Sequence, residues 1–295
     1  MITGTGSGIG RALALALAGE GARLAISDID QEAVVRTAAL ARQRGAEVES
    51  YVLDVSSREA VFAHAEAVRE RFGTVNLVIN NAGVAVSKDF LDMPLEDIEW
   101  LMGINFWGVV YGTKAFLPEL IASRDGHLVN ISSVFGMIAV PGQSAYNAAK
   151  FAVRGFTEAV RQEMLAARHP VQVSCVHPGG VKTNIARAAR SDDLSPGELA
   201  ATFDKIAGLT PERAAEIILA GVRRNRGRIF VGHDARALDL LQRTLGVGYQ
   251  QIVYRAANRI NPVRAEGRRA MADDDEAGAR APSAVPATPP APPPA

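Results

Sequence analysis

The chain has 295 residues, enough for one large domain or two small ones. Its 32 Lys and Arg balance 32 Asp and Glu, so no global field draws it to nucleic acid or to an anionic membrane. Hydrophobic residues make up 48 %, enough for a large core; the single cysteine excludes an internal disulfide, and the five histidines lack metal-ligand spacing.

No apolar run reaches the ~18 residues of a membrane span. With one cysteine in an apolar run (Val171 to Val176), a reducing compartment is expected, namely the cytoplasm.

The chain opens on Met1-Ile2-Thr3-Gly4-Thr5-Gly6-Ser7-Gly8-Ile9-Gly10 and runs at once into an apolar helix over 11–19. Glycines let a turn adopt positive φ and let the backbone approach a ligand. Ahead of a helix they aim free N–H groups and the helix dipole at a phosphate. The spacing Gly4-x-x-x-Gly8-x-Gly10 departs from Gly-x-Gly-x-x-Gly, and a flexible glycine-rich terminus is the alternative. Only three residues precede the turn, where a central strand usually has about 5–6. The first strand therefore reads as truncated, and the native start is expected upstream.

A second strand over 22–27 ends at Asp28, about 20 residues past the glycines, where a carboxylate can accept hydrogen bonds from an adenosine ribose. No Arg or Lys stands at Ser7 or Ile29 to hold a 2′-phosphate. Asp28 would repel such a phosphate by a few kcal/mol at an effective dielectric of ~20, so NAD is expected over NADP. Asp30 is assigned the cap of the helix over 31–44, which Gly45 stops.

A strand over 47–53 ends in Asp54-Val55, an expected adenine-edge contact. Ser56 is expected to cap a helix to about 72, and a strand over 75–79 leads into Asn80-Asn81-Ala82-Gly83, a turn fit to lie beneath a flat ligand or simply an Asn/Gly turn. A long helical region over 94–123 contains Asn105, and an amide is mildly unfavourable there, which invites a polar role.

A strand over 126–132 precedes Ser133, and a helix over 143–168 carries Tyr146 and Lys150. Four residues apart, these two side chains stack on one helix face. A free phenol titrates near ~10. A neighbouring ammonium lowers such a value by roughly 1–3 units, making the phenol a usable base. Ser133 would donate to the oxygen whose charge changes. A bare Tyr-x-x-x-Lys is common by chance, so the pair alone also reads as an anchored Tyr beside a solvated Lys.

A strand over 171–177 ends in Pro178-Gly179-Gly180-Val181-Lys182-Thr183; residues 183–208 read as a lid. A helix over 211–225, a strand over 228–231 and terminal helices over 234–245 and 249–260 follow. The arginines from Arg223 to Arg228 are expected to cap a helix and face water, with phosphate or nucleic-acid binding as the alternative. The 261–295 tail, rich in Pro and Ala, is expected to be disordered or polyproline-like. Strands alternating with helices imply an α/β, Rossmann-type doubly wound parallel sheet flanked by helices, in one domain over 1–260.

Taken together, Thr3-Gly4-x-x-x-Gly8-Ile9-Gly10, Asp54, Asn80-Asn81-Ala82-Gly83, Asn105, Ser133, Tyr146-x-x-x-Lys150 and Pro178-Gly179 resemble the short-chain dehydrogenase/reductase family over roughly residues 1–232. The resemblance implies that Tyr146 exchanges a proton with the substrate oxygen and Ser133 orients that oxygen. It implies that Lys150 binds the nicotinamide ribose and lowers the Tyr146 pKa. Asn105 would hold a helix distortion and a water, Thr183 would meet the nicotinamide carboxamide, and Asn81 would pack near the adenosine. Gly4, Ser7, Gly8, Ile9, Gly10, Asp28, Asp54, Val55, Asn81, Ala82, Gly83, Tyr146, Lys150, Pro178, Gly179, Val181 and Thr183 are the expected cofactor contacts, with no metal. A homodimer or homotetramer is implied as well.

The expectation is an NAD-dependent oxidoreductase interconverting a secondary alcohol and a ketone. Phe135, Met137, Ile138, Val140 and Ile185 point to a lipophilic substrate. The alternatives are an NADP-dependent carbonyl reductase and a non-catalytic NAD-binding scaffold whose Pro-rich tail recruits a partner.

Overall fold

The computed structural model describes residues 1–191, 195, 197–199, 201, 203 and 207–260. The chain divides into one compact unit, Met1–Tyr254, and a second that starts at Arg255. The expectation for the tail lies outside the described residues.

Seven strands form one parallel sheet: β1 (Ile2–Thr3), β2 (Leu24–Asp28), β3 (Val48–Val52), β4 (Leu77–Asn80), β6 (Gly126–Ile131), β7 (Val171–Pro178) and β9 (Arg228–Val231). Their spatial order is β3-β2-β1-β4-β6-β7-β9. The chain builds outward from β1 on one side and restarts at β4 on the other. A crevice therefore opens at the carboxyl ends of β1 and β4, where doubly wound folds bind ligands. Strand β1 has two residues; the Met1 amine donates to the Leu77 carbonyl (2.7 Å), and burial pushes its pKa down to about 5.

Burial on both faces explains the strand composition. Leu24, Ile26, Ile79, Val129 and Val176 pack against helices α1 (Gly8–Gly19) and α2 (Gln31–Gln43) and the later helix α7 (Pro211–Arg223) on one face. Val78, Leu128 and Val173 pack on the other face with α3 (Arg58–Phe72), α5 (Gly108–Ala122) and α6 (Ser144–Ala166). At ~25 cal/mol per Å², burying one such side chain is worth about 1.5–3 kcal/mol.

Four local expectations need correction. Helix α1 starts at Gly8, three residues earlier than the apolar pattern suggested, so the glycine turn and the helix overlap. The cap of α3 is Ser57, which accepts from the Ala60 N–H (3.2 Å), while Ser56 donates to Asp54. The long helix is two, α4 (Leu95–Met102) and α5, joined by a π turn over Gly103–Trp107. The basic cluster does not simply face water: Arg223 pairs with Glu20 and Arg228 with Glu158. Asp30 does cap α2, accepting from Ala33 (2.9 Å).

A second, two-stranded parallel ladder joins β5 (Val86–Ser87) to β8 (Arg190–Ser191). Its strands are too short to show a pattern in sequence. The segment expected as a lid is described only in part. Helices α8 (His233–Leu245) and α9 (Tyr249–Ile260) follow β9.

Candidate active site

The glycine turn, Asp28, Asp54, Asn81 and Ser133 follow or end strands β1, β2, β3, β4 and β6, while Asn105 comes from the π turn and Tyr146 and Lys150 from α6. After β1, Gly4 and Gly8 take positive φ (68° and 52°), and Ser7 stands at the start of α1 with its hydroxyl making no cap bond. At Gly10 any Cβ would land on the Gly4 carbonyl oxygen, so only glycine lets the helix start fold back against the turn. Asn81, after β4, donates to the carbonyls of Thr3 (2.9 Å) and Gly4 (3.1 Å). The Thr3 hydroxyl accepts from the N–H groups of Asn81 (3.0 Å) and Ala82 (3.1 Å). Ile9 packs partly buried against the core.

At the end of β2, Asp28 accepts from Gly6 N–H (2.7 Å) and Asp30 N–H (3.0 Å), so its carboxylate is locked beside the glycine turn. Arg11 reaches the same turn, donating to the Gly6 carbonyl and to Thr37. Asp54, after β3, is exposed and accepts from both the N–H and the hydroxyl of Ser56, with Val55 buried behind it.

The π turn has a visible purpose. It carries the fully buried Asn105, whose amide accepts from Val84 N–H (2.8 Å) and donates to Val84 C=O (2.8 Å). Gly83, one residue earlier, lies where a Cβ would be 3.2 Å from the Asn105 oxygen and 3.5 Å from Lys150 Nζ.

Ser133, Tyr146 and Lys150 come together as the sequence spacing predicts. Ser133 is hydrogen-bonded to the Tyr146 phenol, and its Oγ also accepts from Phe135 N–H (3.1 Å). Lys150 is 3 % exposed; its Nζ donates to Ile131 C=O (3.1 Å) and lies 5.6 Å from the Tyr146 ring centroid. The electrostatics run opposite to the expectation. Burial pushes the phenol up to about 12, only partly opposed by the Ser133 hydrogen bond, and pushes Lys150 down to about 8. In both groups desolvation, which penalises the charged form, is the largest cause of the shift.

The dinucleotide expected here fits these residues. The glycine turn leads directly into the start of α1, the Asp28 carboxylate is fixed beside that turn, and Lys150 has donors beyond the one given to Ile131.

Sequence reasoning missed several supports. Asn147, next to Tyr146, donates to Phe135 and Ile138 carbonyls (both 2.8 Å) and accepts from Val140 N–H (3.1 Å), fixing the 135–140 loop. An amide in the first turn of the helix, directly after a chemistry-bearing Tyr, was the available signal. His177 is fully buried, contacts the Ser133 carbonyl through Nδ1 (3.1 Å) and stacks on Phe230. The Tyr249 hydroxyl accepts from Ala139 N–H (2.9 Å). Buried Asp97 pairs with Lys88 (3.0 Å) and Arg190 (2.6 Å), and Arg190 lies 3.6 Å over the Trp100 ring. Met137 and Ile138 pack into the core, not against the crevice. Phe135 meets the Tyr146 ring edge-on at 6.1 Å.

The family model for short chain dehydrogenases matches residues 1–194. A putative oxidoreductase, SadH, from Mycobacterium tuberculosis is 56 % identical over 79 % of this chain and 85 % of its own length. Mouse estradiol 17-beta-dehydrogenase 11 is 32 % identical over 81 % of this chain and 76 % of its own. Among solved structures, a short chain dehydrogenase/reductase from Burkholderia phymatum in complex with NAD superimposes with a TM-score of 0.77 at 32 % identity, covering 83 % of this chain and 92 % of that one. An alcohol dehydrogenase from Thermococcus sibiricus complexed with 5-hydroxy-NADP gives a TM-score of 0.60 at 29 % identity, covering 72 % and 90 %.

Proposed function

The chain belongs to the short-chain dehydrogenase family and is a nicotinamide-dependent oxidoreductase, and from that premise we propose that it interconverts a lipophilic secondary alcohol and its ketone with NAD, using Tyr146 as acid and base. The observation that carries this reading is the convergence of buried Ser133 and Lys150 on a half-buried Tyr146, in the same fold region as the glycine turn and Asp28.

The bound dinucleotide supplies the hydride acceptor and donor. Tyr146 handles the proton. With its pKa near 12 the phenol is neutral at pH 7, the form that donates to a ketone oxygen. Ser133 steadies that oxygen, and Asn147 and Phe135 keep the loop beside the ring in place. Lys150 would hold the ribose hydroxyls, and Asn105 fixes the backbone of Val84 beside Gly83. Pro178, Gly179, Val181 and Thr183, in the turn after β7, would flank the nicotinamide, with Val181 packed into the core behind it. Oxidising an alcohol requires the phenol to lose its proton first, so oxidation accelerates with rising pH and reduction does not.

Preference for NAD rests on Asp28. Its carboxylate is fixed beside the turn, and Arg11, the nearby cation, is already committed to Gly6 and Thr37. A 2′-phosphate would meet an unbalanced negative charge costing about 4 kcal/mol at 4 Å and an effective dielectric of 20. Preference for an apolar substrate rests on Phe135, Val140 and Ile185, none of which is fully buried. Exposed Trp107 and Phe151, beside and on the long helices α5 and α6, favour pairing of two copies there. No described helix is long and apolar enough to cross a membrane, and the cytoplasm is the proposed location.

The test is a panel of primary and secondary alcohols and ketones, each with NAD(H) and NADP(H). The proposal predicts turnover of apolar secondary alcohols with NAD. No turnover with either cofactor would leave a binding scaffold as the reading; faster turnover with NADP would overturn the cofactor assignment.

A further inference from the structure

We propose that Asp234 is a positioning residue that holds the nicotinamide-side turn of the cofactor site, Pro178–Thr183, in its binding geometry. This rests on the dinucleotide reading above, but Asp234 belongs to none of the motifs behind it and lies beyond the 1–194 family match.

Two glycines make room for this one carboxylate. A Cβ on Gly179 would overlap both Asp234 carboxylate oxygens, and a Cβ on Gly232 would overlap one of them. Gly232 also sits at φ 108°, a conformation that lets the chain leave β9 and start α8 at once. Asp234 thus falls in the first turn of α8, where a negative charge meets the positive end of the helix dipole. From there its Oδ2 accepts from Gly180 N–H at 2.8 Å.

That bond ties the turn after β7 to the turn after β9. Gly179 N–H donates to Val231 C=O (2.9 Å), and Leu209 bonds on either side of Val181, its N–H reaching Gly180 C=O (3.2 Å) and its C=O accepting from Lys182 N–H (2.9 Å). The far end of the strap is Thr183, whose side chain lies 3.1–3.2 Å from where a Cβ on Gly8 would be. Asp234 therefore fixes the near end of a strap whose other end abuts the glycine turn. Loosening it leaves the Tyr146 group intact and spoils the seat of the dinucleotide.

The experiment compares Asp234→Ala, Asp234→Asn and Gly179→Ala with wild type by NAD titration calorimetry and by amide exchange of residues 180–183 without ligand. A backbone N–H bonded to a carboxylate sets the scale, and Asp234→Ala is expected to weaken NAD binding about tenfold and speed exchange at Gly180. Asn retains an acceptor oxygen, so Asp234→Asn is expected to stay within about threefold of wild type. Gly179→Ala displaces the carboxylate, and combining it with Asp234→Ala is expected to be no worse than either alone. An unchanged NAD dissociation constant in Asp234→Ala, or Asn failing to rescue, overturns the proposal. If wild type itself bound no NAD, the cofactor reading would fall first, and with it this one.

Discussion

The two halves of the crevice are held together by different kinds of residue. Around β1, β2 and β4 the contacts run among the motif residues themselves: Asp28 to Gly6, Asn81 to Thr3 and Gly4, Ala82 to Thr3. Around β6, β7 and β9, and at the small β5–β8 ladder, the supports come from residues outside any motif: Tyr249 to Ala139 and Asp234 to Gly180 around the three strands, Arg190 to Asp97 at the ladder. In the first half, backbone sterics hold Gly4 and Gly10 to glycine. In the second, side chains distant in sequence tie the loops to one another.

The largest expected break of this contrast is Gly10→Ala. Its Cβ would collide with the Gly4 carbonyl, so the variant should lose at least about 3 kcal/mol of stability and most of its dinucleotide affinity. Thermal unfolding and NAD titration read both, and a stable variant with ordinary binding would show that the first half is not sterically fixed.

Asn105→Ala comes next. It strands the N–H and C=O of Val84, at a cost of about 2–3 kcal/mol, and should convert the π turn toward regular helix. Chemical denaturation measures the cost. A loss below about 0.5 kcal/mol would mean water replaces the amide without penalty.

Acid sharpens the comparison further. His64, His127 and His177 are buried, and desolvation lowers each to about 4; the last two sit on β6 and β7. Each folded value lies below the unfolded one, so the unfolded chain binds more protons between about pH 6.5 and 4. Stability is therefore full above about 6.5 and falls as pH falls, by up to about 1.4 kcal/mol per pH unit per histidine. Denaturation midpoints at pH 7.5 and 5 test this. His177→Asn should flatten the slope.

The smallest effect is expected from Arg190→Ala. It frees β8 from Asp97 and Trp100 while touching nothing at the glycine turn. KM for substrate should rise about 3- to 10-fold, with the NAD dissociation constant unchanged, as befits loss of one hydrogen-bonded ion pair. An equal change in both would show that the two halves are one unit.

Legibility in the sequence follows the same division. The sheet was readable because parallel strands are apolar on both faces, and the glycine turn because Gly8 sits at positive φ and a Cβ on Gly10 would meet the Gly4 carbonyl. The Tyr146, Ser133 and Lys150 convergence was readable from helical spacing. The β5–β8 ladder, with two residues per strand, carries no period, and Asp97–Arg190 joins residues 93 positions apart. The upward push on Tyr146 comes from burial, to which Phe135 packed edge-on against the ring contributes, and no spacing in sequence shows burial.

The central claim is that Tyr146 moves the proton while the rest of the crevice seats the dinucleotide. It is tested most directly by measuring kcat and the NAD dissociation constant of Tyr146→Phe side by side. The account predicts that kcat falls by about 100-fold or more, the scale of a lost general acid–base, with NAD binding within about twofold of wild type. A variant keeping more than about a tenth of wild-type kcat would contradict it.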